Sequence, residues 1–174
     1  MRLSVLVCYN INMIELLNVK TEELSILSSL AEEVWHQAYD KLLGLSQVEY
    51  MLKKLQSTNA FEAQIQNGYE YYFILSDGVV CGYLGIVQED KRLFLSKIYL
   101  KSSHYGQGIA QNVLNKLKEE CKTRKLREIY LTVNKGNDRA IKAYEKFGFT
   151  KTDSIVTDIG NGYVMDDYVY TFDI

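Results

Sequence analysis

Between Leu93 and Phe149 the hydrophobic period switches repeatedly, and this alternation constrains the fold more than any other feature of the chain. Leu93–Leu100 reads as a strand, residues 107–124 repeat at helical spacing, Ile129–Val133 returns to a strand, Asp138–Phe147 is helical again, and a further strand opens at Phe149. Strands separated by helices need crossover connections, so this run belongs to a mixed α/β sheet. Hairpins flank it. Glu70–Leu75 and Val79–Val87 are joined by Asp77-Gly78, a two-residue turn signal, and residues 158–162 join Phe149–Val156 to Tyr163–Phe172. Ahead of these, Ile14–Val19 reads as a strand and Thr21 as the cap of a helix reaching Tyr39, with Leu24, Leu27, Ala31, Val34, Trp35 and Ala38 on one stripe. Ser46 with Glu49 predicts a capping box for a helix through Leu55, and Ala60–Gln66 a short helix ending at Asn67-Gly68. The expected architecture is one α/β (mixed α+β) domain. Its twisted mixed sheet of about seven strands is flanked by helices and opens between Leu93–Leu100 and Ile129–Val133 to form a cleft.

The 174 residues, 47% hydrophobic and 12% aromatic, suffice for one globular core. No apolar run approaches the roughly 20 residues of a membrane span, so no membrane association is expected. Cys8, Cys81 and Cys121 are odd in number, lack C-x-x-C spacing and have no nearby histidine pair. That pattern argues against a disulfide framework and against a metal site, and points to a reducing, cytoplasmic location. Leu3–Cys8 is too short for the core of a secretory signal. Because Met13 stands just ahead of the first strand, residues 1–12 read as an upstream extension and residues 13–174 as the domain.

Charge is unevenly spread. Residues 91–151 carry fifteen Lys/Arg against five Asp/Glu, about +10, and the remainder about −12. The basic part invites an anionic partner such as a phosphorylated cofactor or nucleic acid, and the acidic part a cationic substrate; most of these lysines also suit solvated helix faces.

Two segments carry chemistry. Ile98–Ala110 runs from a strand through a short loop into a helix, and its Gly106 and Gly108 let the backbone approach an anion where the helix presents unpaired N–H groups. Such turns also serve pure packing. In the second segment, Asn134–Phe149, Asn137 sits at a helix cap and Gly148 just past the helix end, with Ala140, Ala143, Tyr144 and Phe147 on the buried stripe.

Taken together, these residues resemble the GNAT superfamily of acetyl-CoA-dependent N-acetyltransferases. The superfamily's Q/R-x-x-G-x-G/A motif falls on Tyr105–Ala110, and its N-x-x-A-x-x-x-Y-x-x-x-G-F motif falls complete on Asn137–Phe149. Through Lys97–Lys101 the chain looks like the bacterial polyamine and small-amine branch. Tyr105 departs from the usual Gln or Arg, which puts one side-chain phosphate contact in doubt.

The resemblance implies a GNAT fold, acetyl-CoA as cosubstrate and no metal. It implies that Ile98, Tyr99 and Leu100 flank the pantetheine arm and that Tyr105, Gly106, Gln107, Gly108, Ile109 and Ala110 cradle the pyrophosphate. Asn134, Asn137 and Arg139 are further cofactor contacts, and Tyr144 is the general acid that protonates the departing thiolate. The expected acceptor is a primary amine, a small cation such as a polyamine, met by Trp35, Tyr39 and Asp166. Strand alternation allows at most one of Asp166 and Asp167 into the cleft. Acetylation of a protein N-terminus or lysine is the alternative; a non-catalytic acyl-CoA sensor or nucleic-acid-binding module is a further one. No nucleic-acid signature is present, and a homodimer fits similar proteins. No catalytic base stands out: the strand offers Ser96 and Lys97 rather than a carboxylate, which suggests a water relay. His36 reads more readily as a solvent-facing or hydrogen-bonded structural residue than as a base, and His104, just ahead of the glycine loop, as a cofactor-side contact or surface residue.

Overall fold

The hairpin and crossover signals resolve into a single sheet in the computed structural model, which describes residues 13–174; the expected extension at residues 1–12 lies outside the described residues. The elements are β1 (Ile14–Asn18), a 3₁₀ turn (Thr21–Glu23), α1 (Leu24–Leu43), α2 (Leu45–Leu55), α3 (Thr58–Gln66), β2 (Tyr69–Ser76), β3 (Val79–Glu89) and β4 (Arg92–Leu100). After a second 3₁₀ turn (Ser102–His104) come α4 (Ile109–Thr123), β5 (Glu128–Asn134), α5 (Asp138–Phe147), β6 (Thr150–Gly160) and β7 (Tyr163–Asp173). The seven strands lie in the order β1-β2-β3-β4-β5-β7-β6. All neighbours are antiparallel except β4 and β5.

That parallel pair is where the sheet parts. β4 and β5 are matched only from Arg92↔Glu128 to Phe94↔Tyr130, after which both strands continue without pairing each other. β5 instead stays in register with β7 along its whole length, Glu128↔Asp173 to Asn134↔Asp167, while β4 stays with β3. Between Gly85 and Ile86 the β3–β4 register slips, so Ser96 is the extra residue of a bulge. Bulges bend a strand and raise its local twist, which carries β4 away from β5. The result is the V-shaped opening expected from the element order.

Each sheet face has its own core. Leu93, Leu95, Ile129 and Leu131 pack under α4 through Ile109, Val113, Leu114 and Leu117. Tyr71, Phe73 and Tyr83 pack under α1–α3 through Leu27, Val34, Trp35, Val48 and Phe61. Each fully buried aliphatic side chain contributes about 1.5–3 kcal/mol of transfer free energy, which anchors both walls of the opening.

Several helix starts differ from expectation. Thr21 is not a cap; the Lys20 N–H donates to the Glu23 carboxylate at 2.9 Å and a 3₁₀ turn precedes α1, which runs four residues beyond Tyr39 to Leu43. The Ser46–Glu49 capping box does not form, because α1 and α2 are joined by Gly44 alone, at φ +82°, and Ser46 already lies inside α2. A residue with a Cβ would be strained at that corner. α3 begins at Thr58, earlier than read, with the Ser57 hydroxyl accepting the Ala60 N–H at 3.3 Å. α4 begins at Ile109 rather than Gln107, because Gly108 is left-handed at φ +75°.

Candidate active site

Where β4 and β5 diverge lies a cavity of about 730 Å³, well within the range of small-molecule sites. Its lining brings together Trp35, Tyr39, Ile98, Tyr99, Leu100, Tyr105, Gly106, Gly108, Ile109, Ala110, Asn134, Asn137, Arg139 and Tyr144, all singled out from the sequence. Gln107 is not among them; it is exposed, and its side-chain amide donates to the Ser103 carbonyl at 3.0 Å. Asp166 is also outside the lining, since its carboxylate pairs with Lys135, and Asp167 takes the inward position.

On the α4 side the loop before the helix is shaped for an anion. Gly106 and Gly108 both sit at φ +75°, and a Cβ at either would meet no atom within 4 Å, so these glycines serve backbone conformation and not tight packing. α4 then starts with N–H groups at Ile109, Ala110 and Gln111 that have no partner among the described residues, at the positive end of a fifteen-residue helix. The Arg139 guanidinium stacks on the Tyr105 ring at 3.4 Å from its centroid. A cation from α5 thus stands beside the loop whose own position 105 lacks one. These features fit a diphosphate-bearing ligand.

α5 supplies the next group. The Asn137 side chain caps it by accepting the Ala140 N–H at 3.2 Å, and its amide donates to the Tyr39 hydroxyl at 3.4 Å. Tyr39 in turn lies 3.5 Å, hydroxyl to hydroxyl, from Tyr99. Trp35 donates to the Tyr83 hydroxyl at 3.1 Å, which donates to the buried Gln56 at 3.1 Å. Tyr144, about two helical turns further along α5, packs edge-on to Phe149. Burial, and secondarily the neighbouring Tyr39, raises its phenol above the ordinary value, keeping the proton on the oxygen that lines the cavity.

The opposite arm, under α1–α3, is mainly apolar: Leu43, Met51, Leu55, Val164 and Met165. Two ionisable groups stand out in it. Asp167 is 5% exposed, and burial first, then the charge of Asp166, pushes its carboxyl up to about 6 against a smaller pull from Lys135. Lys97 is 7% exposed, and burial pulls its amine down to about 7. Strand alternation admits one of Asp166 and Asp167 to the cleft, and the structure selects Asp167 over the expected Asp166; Lys97, the one charged residue within Leu93–Leu100, has no role assigned from the sequence. His36 lies outside the lining, with Nδ1 2.9 Å from the Asp40 carboxylate, whereas His104 borders the cavity. Among the described residues no cluster of metal-ligating side chains occurs, and no helix is long and apolar enough to cross a membrane.

A model of the acetyltransferase (GNAT) family matches residues 30–149. Among curated proteins, a putative [ribosomal protein bS18]-alanine N-acetyltransferase of Bacillus subtilis (strain 168) is 31% identical over 87 residues. That match takes in 48% of this chain and 56% of the relative, so the chain spans little more than half of that protein's length. Among solved structures, PaiA N-acetyltransferase from Thermoplasma acidophilum, in complex with coenzyme A, superposes with a TM-score of 0.77 at 20% identity, covering 93% of this chain and 99% of that one. The ribosomal-protein-S18-alanine N-acetyltransferase of Escherichia coli superposes with a TM-score of 0.67 at 17% identity, covering 93% and 94%.

Proposed function

We propose that this chain, which belongs to the acetyltransferase (GNAT) family, transfers acetyl from acetyl-CoA to a primary amine by direct attack. The observation that carries this reading is the single cavity wall on which the Gly106–Ala110 turn, the unpaired edge of β4 and Tyr144 come together. The turn and the start of α4 hold the pyrophosphate, with Arg139 beside it. Beyond Phe94 the β5-facing edge of β4 has no strand partner among the described residues, which leaves its amide and carbonyl groups at Ile98–Leu100 to pair with the pantetheine arm. Amides on this edge also stabilise the oxyanion that develops on the thioester carbonyl, worth about 3 kcal/mol per well-placed donor. Tyr144 protonates the leaving thiolate.

The acceptor enters from the α1–α3 side. Among the described lining residues this arm carries one carboxylate, Asp167, amid apolar side chains and Lys97. Such a lining favours a small amine with a single ammonium and an apolar remainder over a polyamine, whose additional charges would meet no further acid. A second reading, an N-terminal alanine as acceptor, is supported by the 31% identity to the putative ribosomal-protein alanine acetyltransferase.

Free-thiol release from acetyl-CoA is the test, with a panel of aryl-alkyl amines, spermidine, lysine and alanine-initiated peptides. Turnover with monoamines above spermidine supports the first reading, and turnover with peptides alone supports the second. Tyr144→Phe should lower kcat by about 10- to 10³-fold with acetyl-CoA binding retained. Binding of acetyl-CoA by calorimetry with no turnover on any amine would favour a non-catalytic acyl-CoA sensor.

A further inference from the structure

The cavity wall opposite the diphosphate loop contains a lysine in an unusual hydrogen-bonding arrangement. Lys97 Nζ lies 2.8 Å from Gln64 Oε1, 2.8 Å from the Tyr71 hydroxyl and 3.1 Å from Ser96 Oγ. The groups facing it are Tyr69 and Tyr71 from β2, whose rings lie 5.4 and 5.3 Å away, Gln64 from α3 and Ser96 from β4. Among the described residues it forms no ion pair. Both tyrosines are held above their ordinary values by burial and stay neutral.

The donors can be assigned. Gln64 Nε2 donates to the Leu55 carbonyl at 3.0 Å, which fixes the amide so that Oε1 faces Lys97. Tyr71 spends its own proton on that same Oε1, so towards Lys97 its oxygen can only accept. Two N–H bonds from Lys97 are therefore committed, to Gln64 and Tyr71. The third position faces Ser96, a hydroxyl that can donate as well as accept. A neutral amine has two N–H groups and one lone pair, and these neighbours satisfy it with Ser96 donating. The ammonium is satisfied by rotating that one hydroxyl. Protonation thus changes a single hydrogen bond, and the change occurs at Ser96, which itself lines the cavity.

The bulge explains how adjacent strand residues come to touch. In a regular strand Ser96 and Lys97 would point to opposite faces; with Lys97 opposite Gly85 and Leu95 opposite Ile86, Ser96 has no partner and the alternation is reset. Gly85 supplies the room: a Cβ there would lie 2.6 Å from the Tyr71 ring and 3.3 Å from Lys97 Cβ.

We propose that Lys97 is the proton acceptor for the attacking amine, receiving the proton through the Ser96 hydroxyl. This rests on the acetyl-transfer reading above. The substrate ammonium gives one N–H proton to Ser96 Oγ as Ser96 gives its own to the Lys97 lone pair. The freed amine forms the C–N bond at the thioester carbonyl, and the C–S bond breaks as the oxyanion collapses. The thiolate takes its proton from Tyr144, which is reloaded by the second proton leaving the attacking nitrogen. Lys97 afterwards returns its proton to water, so one amide, one thiol and one released proton balance the acetyl-CoA and ammonium consumed. An amine that burial pulls down to about 7, with no carboxylate paired to it among the described residues, is suited to this task near neutral pH.

The test is the pH dependence of kcat in the wild type, Lys97→Arg, Lys97→Met and Ser96→Ala, using acetyl-CoA and the amines from the panel that turn over. The wild type should rise to a plateau with a limb near pH 7 that does not move with the acceptor amine's own ionisation. Lys97→Arg keeps a charge and N–H donors but cannot release a proton, and should lose about 10²- to 10⁴-fold in kcat at pH 7 while binding acetyl-CoA within about threefold of wild type. Lys97→Met should lose a similar factor together with the limb, and Ser96→Ala should lose activity while keeping the limb. A folded Lys97 variant within about threefold of wild-type turnover would overturn the proposal, as would a wild-type limb that tracks the acceptor. A wild type that acetylates no amine would overturn the acetyl-transfer reading itself, and this proposal with it.

Discussion

Replacing Lys97 by Met should stabilise the protein at pH 7, and that advantage should fall as the pH rises. Lys97 is 7% exposed and burial lowers its amine from 10.5 to about 7. Between these values the unfolded chain holds a proton that the folded chain has released, so ν_U exceeds ν_N and wild-type stability climbs with pH. The contribution is complete above about pH 10.5 and is lost as the pH falls through about 7. At 1.36 kcal/mol per unit, and allowing for half-titration at the starting point, raising the pH from 7 to 9 adds about 2 kcal/mol to the wild type. The methionine variant has no such group. Its loss of three hydrogen bonds leaves no orphan, because Tyr71 still donates to Gln64 Oε1 and Ser96 faces the open cavity. The Cys81 and Cys121 thiols are raised by burial in the fold and so add their own pH dependence, but they are common to both proteins and cancel in the difference. Urea unfolding of each protein at pH 7 and pH 9, with equal m-values, gives the four free energies required. The variant's lead should shrink by about 2 kcal/mol between the two conditions. A difference that stays constant within about 0.5 kcal/mol would mean that Lys97 keeps an ordinary amine in the fold, and the reasoning from burial would fail.

Asp167→Asn should raise stability at pH 7 by about 2–3 kcal/mol, because the wild-type carboxyl is pushed up to about 6 and its folded-state preference for the proton is lost as the pH rises through that value. Urea titrations at pH 4 and pH 7 should show the difference growing with pH, and equal differences at both would contradict the assignment. Asn137→Ala removes the cap of α5 and should cost about 1 kcal/mol, read as a lowered Tm at unchanged pH. Gly108→Val forces a β-branched residue into φ +75° at the start of α4 and should weaken acetyl-CoA binding by at least about tenfold in calorimetry. Equal affinity would place the diphosphate elsewhere.

What was legible in the sequence, and what was not, follows from how far apart the determining residues lie. The Asp77-Gly78 turn is a local device, both residues adopting positive φ, and it appears where the pattern put it. The Gly106–Ala110 turn and the cap at Asn137 are equally local, and nearly every residue nominated around them lines the cavity. The failures are matters of phase. Asp166 and Asp167 are neighbours on one strand, and which faces inward depends on the β5–β7 register, Asn134↔Asp167, set by pairing far along the chain. Lys97 is the stronger case. The absence of a carboxylate from β4 suggests a water relay, yet the groups that make the Lys97 amine useful come from Gln64 and Tyr71, 33 and 26 residues away, and from a bulge visible only against β3. A bulge inserts one residue into a period of two, so every face assignment beyond it reverses relative to the count before it. Sequence alternation therefore fails at just such points, where a strand is bent to open a cleft and consecutive side chains are turned together towards what enters it.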